Sequence, residues 1–266
     1  MMKTVLVTGA SGGIGGAVTE YLSRNGIFVY ALDLNERPFN SSFVKFVKMD
    51  VTNESDIKRV CAELQAGGVV LDAIINVAGI FLIDSFIEVD NKQLNDIFAV
   101  NFMGTVLVNK IFYPLLKKDG RVIITTSEVA PLDPMPFNGI YNVTKTALDS
   151  YSQALRQELN LLGQKVITVR PGAFNTNLSQ GSLQKTKELT DKTVLYKKQS
   201  KNFYSIVKTF MGKPLPPEKI AKIYFKAVTV SRPKLIYKKH TNKLLKLLNI
   251  LPKRLQCFII KKLLKT

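Results

Sequence analysis

Short runs that are apolar almost throughout alternate with longer stretches of helical spacing, and this alternation restricts the chain more than any other feature. Strand-like runs rich in Val and Ile fall at 3–8, 27–32, 44–49, 70–76, 120–125 and 165–170, with a further one at 233–237. Helical spacing covers 13–24, 54–64, 91–116 in one or two pieces, and 139–162. A strand written Val69-Val70-Leu71-Asp72-Ala73-Ile74-Ile75 has no polar face to offer water, so helices must cover both sides of its sheet.

The expected fold class is therefore α/β, a single doubly wound, Rossmann-like parallel sheet of about seven strands with helices on both faces. A chain of 266 residues, 46% hydrophobic and 22% charged, can bury a core of that size, which excludes disorder over most of its length. No repeat or low-complexity tract points to a solenoid or fibre. The longest apolar candidates for a membrane span, such as 97–108, are interrupted by Asn101 and Gly104, and the first residues lack the apolar run of a signal peptide. Cys61 and Cys257 are far apart and His240 is the single histidine, so neither a disulfide framework nor a metal site is expected, and a reducing cytoplasmic setting is.

The net charge of +18 is unevenly placed. Residues 1–195 carry nineteen groups of each sign, whereas 196–266 carry nineteen Lys and Arg against the single acid Glu218. The rhythm also breaks at 173–215, a polar, lysine-rich stretch between Pro171-Gly172 and Pro214, Pro216 and Pro217. These boundaries suggest a catalytic domain at 1–240, with 173–215 as a substrate flap, and a basic amphipathic extension at 241–266. In that extension Leu244, Leu248 and Leu251 fall on one helical face, as do Leu255, Phe258, Ile259 and Leu263 beyond Pro252. Two readings stand: adsorption to an anionic membrane surface, peripheral and without insertion, or packing of the apolar faces on the catalytic domain or another subunit. No nucleic-acid motif accompanies the basic residues, so nucleic acid is not an expected partner.

The first strand runs into Thr8-Gly9-Ala10-Ser11-Gly12-Gly13-Ile14-Gly15, where the backbone must turn sharply and approach a ligand, and the next helix points its free N–H groups at an anion. A pyrophosphate suits that place. Asp33 closes the second strand about 20 residues on, where a carboxylate accepts from adenosine ribose hydroxyls and repels a 2′-phosphate, so NAD(H) is favoured and NADP(H) is not excluded. Arg37 is read as a solvated surface arginine able to blur that preference. Further along, Tyr141 and Lys145 stand four residues apart on one helical face. A tyrosine of ordinary pKa near 10 is no base at neutral pH, but a fixed neighbouring cation favours the phenolate.

With these residues in view, the sequence resembles the short-chain dehydrogenase/reductase family, in its subtype of about 250 residues, over residues 3 to about 237. The resemblance rests on the glycine turn, Asp50, Asn76-Val77-Ala78-Gly79, Asn101, Ser127, Tyr141 with Lys145, and Pro171-Gly172 followed by Thr176, all in order. It implies Tyr141 as general acid or base, Lys145 holding the nicotinamide ribose and depressing the phenol pKa, Ser127 on the substrate oxygen, and Asn101 positioning a relay water. Cofactor contacts implied are Gly9, Ser11, Gly13, Ile14, Gly15, Asp33, Asp50, Val51, Asn76, Ala78, Gly79, Tyr141, Lys145, Pro171, Gly172, Phe174 and Thr176. Asp50 has an alternative as a cap for the helix near Asn53, and Asn76 as a tie within the sheet.

Two departures from the family pattern stand out. The fourth-strand motif reads Asn76-Val77-Ala78-Gly79 where two asparagines are commoner, and Ser127 lies one residue further from Tyr141 than usual, which leaves Thr126 as a second hydroxyl candidate. The implied reaction interconverts an alcohol and a carbonyl compound, in a homodimer or homotetramer. Residues 136–141 and the tail resemble members acting on steroids, retinoids or other lipophilic alcohols. An apolar pocket is expected from Phe174, Leu178, Leu183, Leu195, Tyr196, Phe203, Tyr204 and Phe210, with Met135 and Phe137. The competing readings are an idle nucleotide-sensing or membrane-scaffold protein on the same fold, and an epimerase-like branch.

Overall fold

A computed structural model describes residues 2–210 and 214–265, leaving out the side chains of 177–180 and of 210. Seven strands form one parallel sheet in the order β3-β2-β1-β4-β5-β6-β7. They are β1 (Thr4–Thr8), β2 (Phe28–Asp33), β3 (Val44–Lys48), β4 (Leu71–Asn76), β5 (Leu116–Thr125), β6 (Lys165–Pro171) and β7 (Ile236–Lys239). The order reverses between β1 and β4, which pair from Val5 with Ala73 to Thr8 with Asn76, and a cleft opens beyond their carboxyl ends.

Both faces of the sheet are covered, as the unbroken apolar strands require. On one side α1 (Gly13–Arg24) and α8 (Glu218–Thr229) pack with Val5, Val7, Val29, Ile123, Ile167 and the buried Tyr224. On the other, α2 (Glu54–Ala66), α4 (Gly104–Phe112) and α5 (Gly139–Asn160) pack on Leu6, Leu71, Ile74, Val122 and Val166. The helix expected over 91–116 is continuous: α3 (Asn91–Phe98), a π-turn (Ala99–Met103), α4 and a 3-10 turn (Tyr113–Leu115) follow without a break. Asn91–Leu115 is thus long and apolar enough to cross a membrane by length and composition alone. Ile97, Val108 and Phe112 on it are buried in the core, and 39% of its most apolar stretch is buried in all.

Three helices lie outside those expected from the sequence. The stretch at 173–215 holds α6 (Asn177–Lys192) and α7 (Lys197–Phe210), and 218–229 holds α8. In α8, Ile220, Ala221, Tyr224, Ala227 and Val228 are buried at helical spacing, a signal the sequence carries directly after three prolines. The expected strand at 120–125 begins earlier, at Leu116, with a register shift between Leu71 and Ala73 that absorbs the polar run 117–120.

The extension forms α9 (Lys243–Ile250) and α10 (Lys253–Lys265), and α10 docks on α7. Its buried face is Gln256, Ile260 and Leu264, whereas Leu255, Phe258 and Leu263 of the stripe read from the sequence are exposed. Leu264 packs with Phe137, Leu189 and Phe203, while Leu247, Ile250 and Phe258 remain 61%, 79% and 62% exposed. The tail is also tied to the loop after β5: Asn249 Oδ1 accepts from the Asp133 N–H at 2.6 Å, Gln256 Nε2 donates to Asp133 at 3.0 Å, and Lys253 pairs with Asp133.

Candidate active site

The cleft beyond β1 and β4 has a volume of about 800 Å³ and is walled by the glycine turn, the loops after β2, β4 and β5, and the start of α5. Gly9 turns the chain with φ +67°, and a Cβ there would lie 2.7 Å from the Ala78 backbone, so the first and fourth strand ends touch only because residue 9 is glycine. Thr8 Oγ1 accepts from the N–H groups of Val77 and Ala78 at 3.2 and 3.3 Å and holds the two loops in register. Beyond the turn, Gly12 is the N-cap of α1, and no side chain caps that helix end. Its first N–H groups lie along the cleft wall, the arrangement that binds a phosphate. The uncapped helix end, the glycine cradle and the volume of the cleft fit a dinucleotide.

Of the residues implied as cofactor contacts, all but Asn76 line this cleft: Gly9, Ser11, Gly13, Ile14, Gly15, Asp33, Asp50, Val51, Ala78, Gly79, Tyr141, Lys145, Pro171, Gly172, Phe174 and Thr176. Asn76 Nδ2 instead donates to Asn109 Oδ1 at 2.8 Å, so its side chain ties the sheet to α4, the structural alternative. Asp50 Oδ1 accepts from Thr52 N–H and Oγ1 at 2.8 and 2.7 Å, and the cap of α2 is Asn53. Arg37 is not a freely solvated arginine. It lines the cleft and pairs with Glu20.

The implied catalytic residues converge on the inner end of the cleft, with one exception. Tyr141 and Lys145 stand on the first turns of α5, the lysine Nζ 5.8 Å from the phenol ring centroid and donating to Thr125 O at 3.3 Å. Ser127, two residues past the end of β5, hydrogen-bonds the Tyr141 hydroxyl. Thr126 lines the cleft as well, and its Oγ1 donates to Asp149 Oδ1 at 3.4 Å. Asn101 lies in the π-turn behind the cleft wall. Its Oδ1 accepts from the Ile80 N–H at 2.7 Å, and its Nδ2 donates to Ile80 O and Thr144 Oγ1 at 2.9 and 3.1 Å. The side chain of Asn101 therefore positions the loop that follows Gly79.

The electrostatics of the pair differ from the expectation of an acidified phenol. Burial pushes the Tyr141 hydroxyl up to about 12, the Ser127 hydrogen bond pulls against that, and the Glu128 carboxylate adds to the rise. Burial pushes the Lys145 ammonium down to about 8. Two groups enclosed between α5, β5 and Phe81, whose ring meets Tyr141 edge-on at 4.8 Å, lose more from desolvation than one cation 5.8 Å away returns.

Sequence reasoning missed Leu34, Asn35, Glu36, Pro38, Met49, Ile80, Val100 and Thr125 as lining residues and Glu128 as a neighbour of Tyr141. The first follows a strand end and could have been found by that rule; Glu128 carries no local signal. Its carboxyl, raised by burial, accepts from the Asn242 N–H and joins the start of the tail to the site. The expected apolar pocket is a packed cluster in the structure: Phe137 meets Tyr196 and Phe203 edge-on at 5.5 and 5.3 Å, and Leu189 is buried with them. Phe174 is buried at the cleft wall, and Leu195 is exposed. The side chains of Leu178 and Phe210 lie outside the described residues.

Comparison with known proteins agrees with this geometry. A family model described as short chain dehydrogenase matches residues 3–187. Mouse estradiol 17-beta-dehydrogenase 2 is 35% identical over 194 residues, which is 66% of this chain and 49% of the mouse protein. The chain thus spans about half the length of the relatives of that name. Among solved structures, a short chain dehydrogenase from Burkholderia cenocepacia in complex with NADP superposes with a TM-score of 0.73 at 19% identity, covering 100% of this chain and 98% of that one. A short chain dehydrogenase/reductase from Burkholderia phymatum in complex with NAD gives 0.72 at 22% identity, covering 88% of each. At these identities the two structures carry the fold.

Proposed function

Since the chain belongs to the short-chain dehydrogenase family, we propose that it is an oxidoreductase that interconverts an alcohol and a carbonyl compound with a nicotinamide cofactor. The observation that carries this reading is the meeting of Ser127, Tyr141 and Lys145 at one end of a cleft whose other end is the uncapped helix and Asp33. Bound there, the cofactor would supply or accept the hydride. Tyr141, protonated at neutral pH, gives its proton to a carbonyl oxygen, and Ser127 donates a hydrogen bond to that oxygen as charge grows on it. In the oxidative direction the phenol must lose its proton, and Lys145 is the cation that favours the phenolate. Asn101 holds the Ile80 backbone in place beside them.

Several finer points belong to the same proposal. Asp33 favours NAD(H), since its carboxylate repels a 2′-phosphate. The substrate is a lipophilic alcohol or ketone of the steroid, retinoid or fatty type: Ile80, Val100 and Phe174 line the cleft, and the mouse relative bears the name of an estradiol dehydrogenase. Residues 1–240 form the catalytic unit and 241–266 the extension, whose exposed apolar side chains and lysines suit an anionic membrane surface. Two free thiols suit a cytoplasmic setting. The exposed Met103, Tyr113 and Val143 on the long helices suit a homodimer or homotetramer, which light scattering on the purified protein reads directly.

The test is a panel of steroid, retinoid, long-chain and short polar alcohols and ketones, each with both nicotinamide cofactors. Turnover of the lipophilic members is expected, and Tyr141→Phe should lower it by roughly a hundredfold or more while dinucleotide binding persists. Binding without turnover of any member would leave an idle nucleotide-sensing protein, and a Tyr141→Phe enzyme as active as the parent would remove the tyrosine from its role.

A further inference from the structure

At the adenosine end of the cleft stands a cation whose charge is already engaged. Asp33 closes β2 with both carboxylate oxygens taken by backbone donors, Oδ2 by the Ser11 N–H and Oδ1 by the Asn35 N–H, each at 3.0 Å. Four residues on, Arg37 lines the same cleft. Its guanidinium lies 5.5 Å from the centroid of the Phe39 ring and pairs with Glu20 on α1. It occupies room left by Gly16, since a Cβ there would lie 1.9 Å from Arg37 Nη1. Glu20 also stands 3.5 Å from Arg24.

We infer that Glu20 is a specificity-determining residue: by holding Arg37 in an ion pair against α1, it keeps that guanidinium from a phosphate at the adenosine 2′ position, and so acts with Asp33 in favouring NAD(H) over NADP(H). The inference rests on the nicotinamide reading above and deepens it. A 2′-phosphate would bring about two negative charges to a wall that already carries Asp33 and Glu36. Among the described residues of that wall Arg37 is the cation able to offset them, and a guanidinium on phosphate makes strong, charge-assisted hydrogen bonds. To make them, Arg37 must leave Glu20, a half-buried carboxylate that then loses its closest partner. Arg24, at 74% exposure and 3.5 Å, returns little of that loss. With a neutral residue at 20 the restraint disappears.

The dissociation constants of NADH and NADPH, read by fluorescence titration, test this in four full-length proteins: wild type, Glu20→Gln, Arg37→Ala and the double variant. Wild type should bind NADH more tightly. Glu20→Gln should shift the ratio toward NADPH by roughly fivefold or more, because a free guanidinium can then meet the phosphate. In the Arg37→Ala background the same Glu20→Gln change should move the ratio by less than about twofold, which separates the release of Arg37 from a general gain of one positive charge. An unmoved ratio in Glu20→Gln, a shift toward NADH, a shift that survives without Arg37, or a wild type preferring NADPH would each overturn the inference while leaving the nicotinamide site intact. A wild type that binds neither dinucleotide would remove the site itself, and the inference with it.

Discussion

Lys145 and Tyr141 show how burial and charge compete over a few ångströms. The lysine is 4% exposed and its ammonium is pushed from its ordinary 10.5 to about 8 by desolvation. Unfolded chains hold that proton up to about pH 10.5, so between about pH 8 and 10.5 the unfolded state binds more protons and stability rises with pH. Below pH 8 the folded protein carries the full cost of a buried cation. Lys145→Met should therefore be more stable than wild type at pH 7 without added dinucleotide, by at most about 3 kcal/mol, with the gap closing as the pH approaches about 10. Denaturant unfolding at both pH values checks it. A variant no more stable than its parent at pH 7, or a gap that ignores pH, would show that the ammonium is not desolvated as described. The spacing of the pair was legible in the sequence because four residues make one helical turn. The direction of their pKa shifts was not, because it depends on burial among Phe81, Thr125 and Glu128, which come from two other segments, the loop after β4 and the end of β5 with its loop.

Among the elements, α6 and α7 were the least legible. Nothing in the polar run 173–215 shows which partner its helices will find. In the structure they are pinned to the loop after β4: Lys192 pairs with the buried Asp84, Lys185 donates to Phe81 O, and Glu88 accepts from the Thr193 hydroxyl and the Val194 and Leu195 N–H groups. Those hydrogen bonds hold the Glu88 carboxyl below its usual range, so its share of the anchor is lost only as acid protonates it below that range. Glu88→Ala should raise amide exchange over 173–215 by roughly threefold or more while leaving β1, β4 and β5 protected, as read by mass spectrometry. Unchanged exchange there would show that the aromatic cluster alone seats α6 and α7. By contrast β1, β2, β4 and β6 matched their apolar runs within a residue or two, because a strand buried on both faces declares itself without reference to its neighbours.

Over the whole molecule, the charge asymmetry and the tail fall in the same part of the chain. The excess of positive charge lies entirely in 196–266, and α9 and α10 turn Leu247, Ile250 and Phe258 outward among lysines while Leu264 anchors them to α7. Full-length protein should pellet with vesicles containing anionic lipid and not with neutral ones, and Leu247→Glu with Ile250→Glu should lose most of that binding. A protein that stays in the supernatant with anionic vesicles would return the tail to a purely intramolecular role.

The chain's own pattern determined the doubly wound sheet, the glycine turn at its first strand end, and the order in which Asp33, Ser127, Tyr141 and Lys145 arrive, because each depends on local period or on a residue type that a turn demands. Tertiary structure alone decided that Asn76 serves the sheet, that Asn101 serves the Ile80 loop, that Arg37 leans on Glu20, and that α10 buries Gln256, Ile260 and Leu264. An amphipathic helix offers more than one apolar stripe and a polar side chain several partners. Which of them is used is settled by the surfaces that distant segments bring alongside.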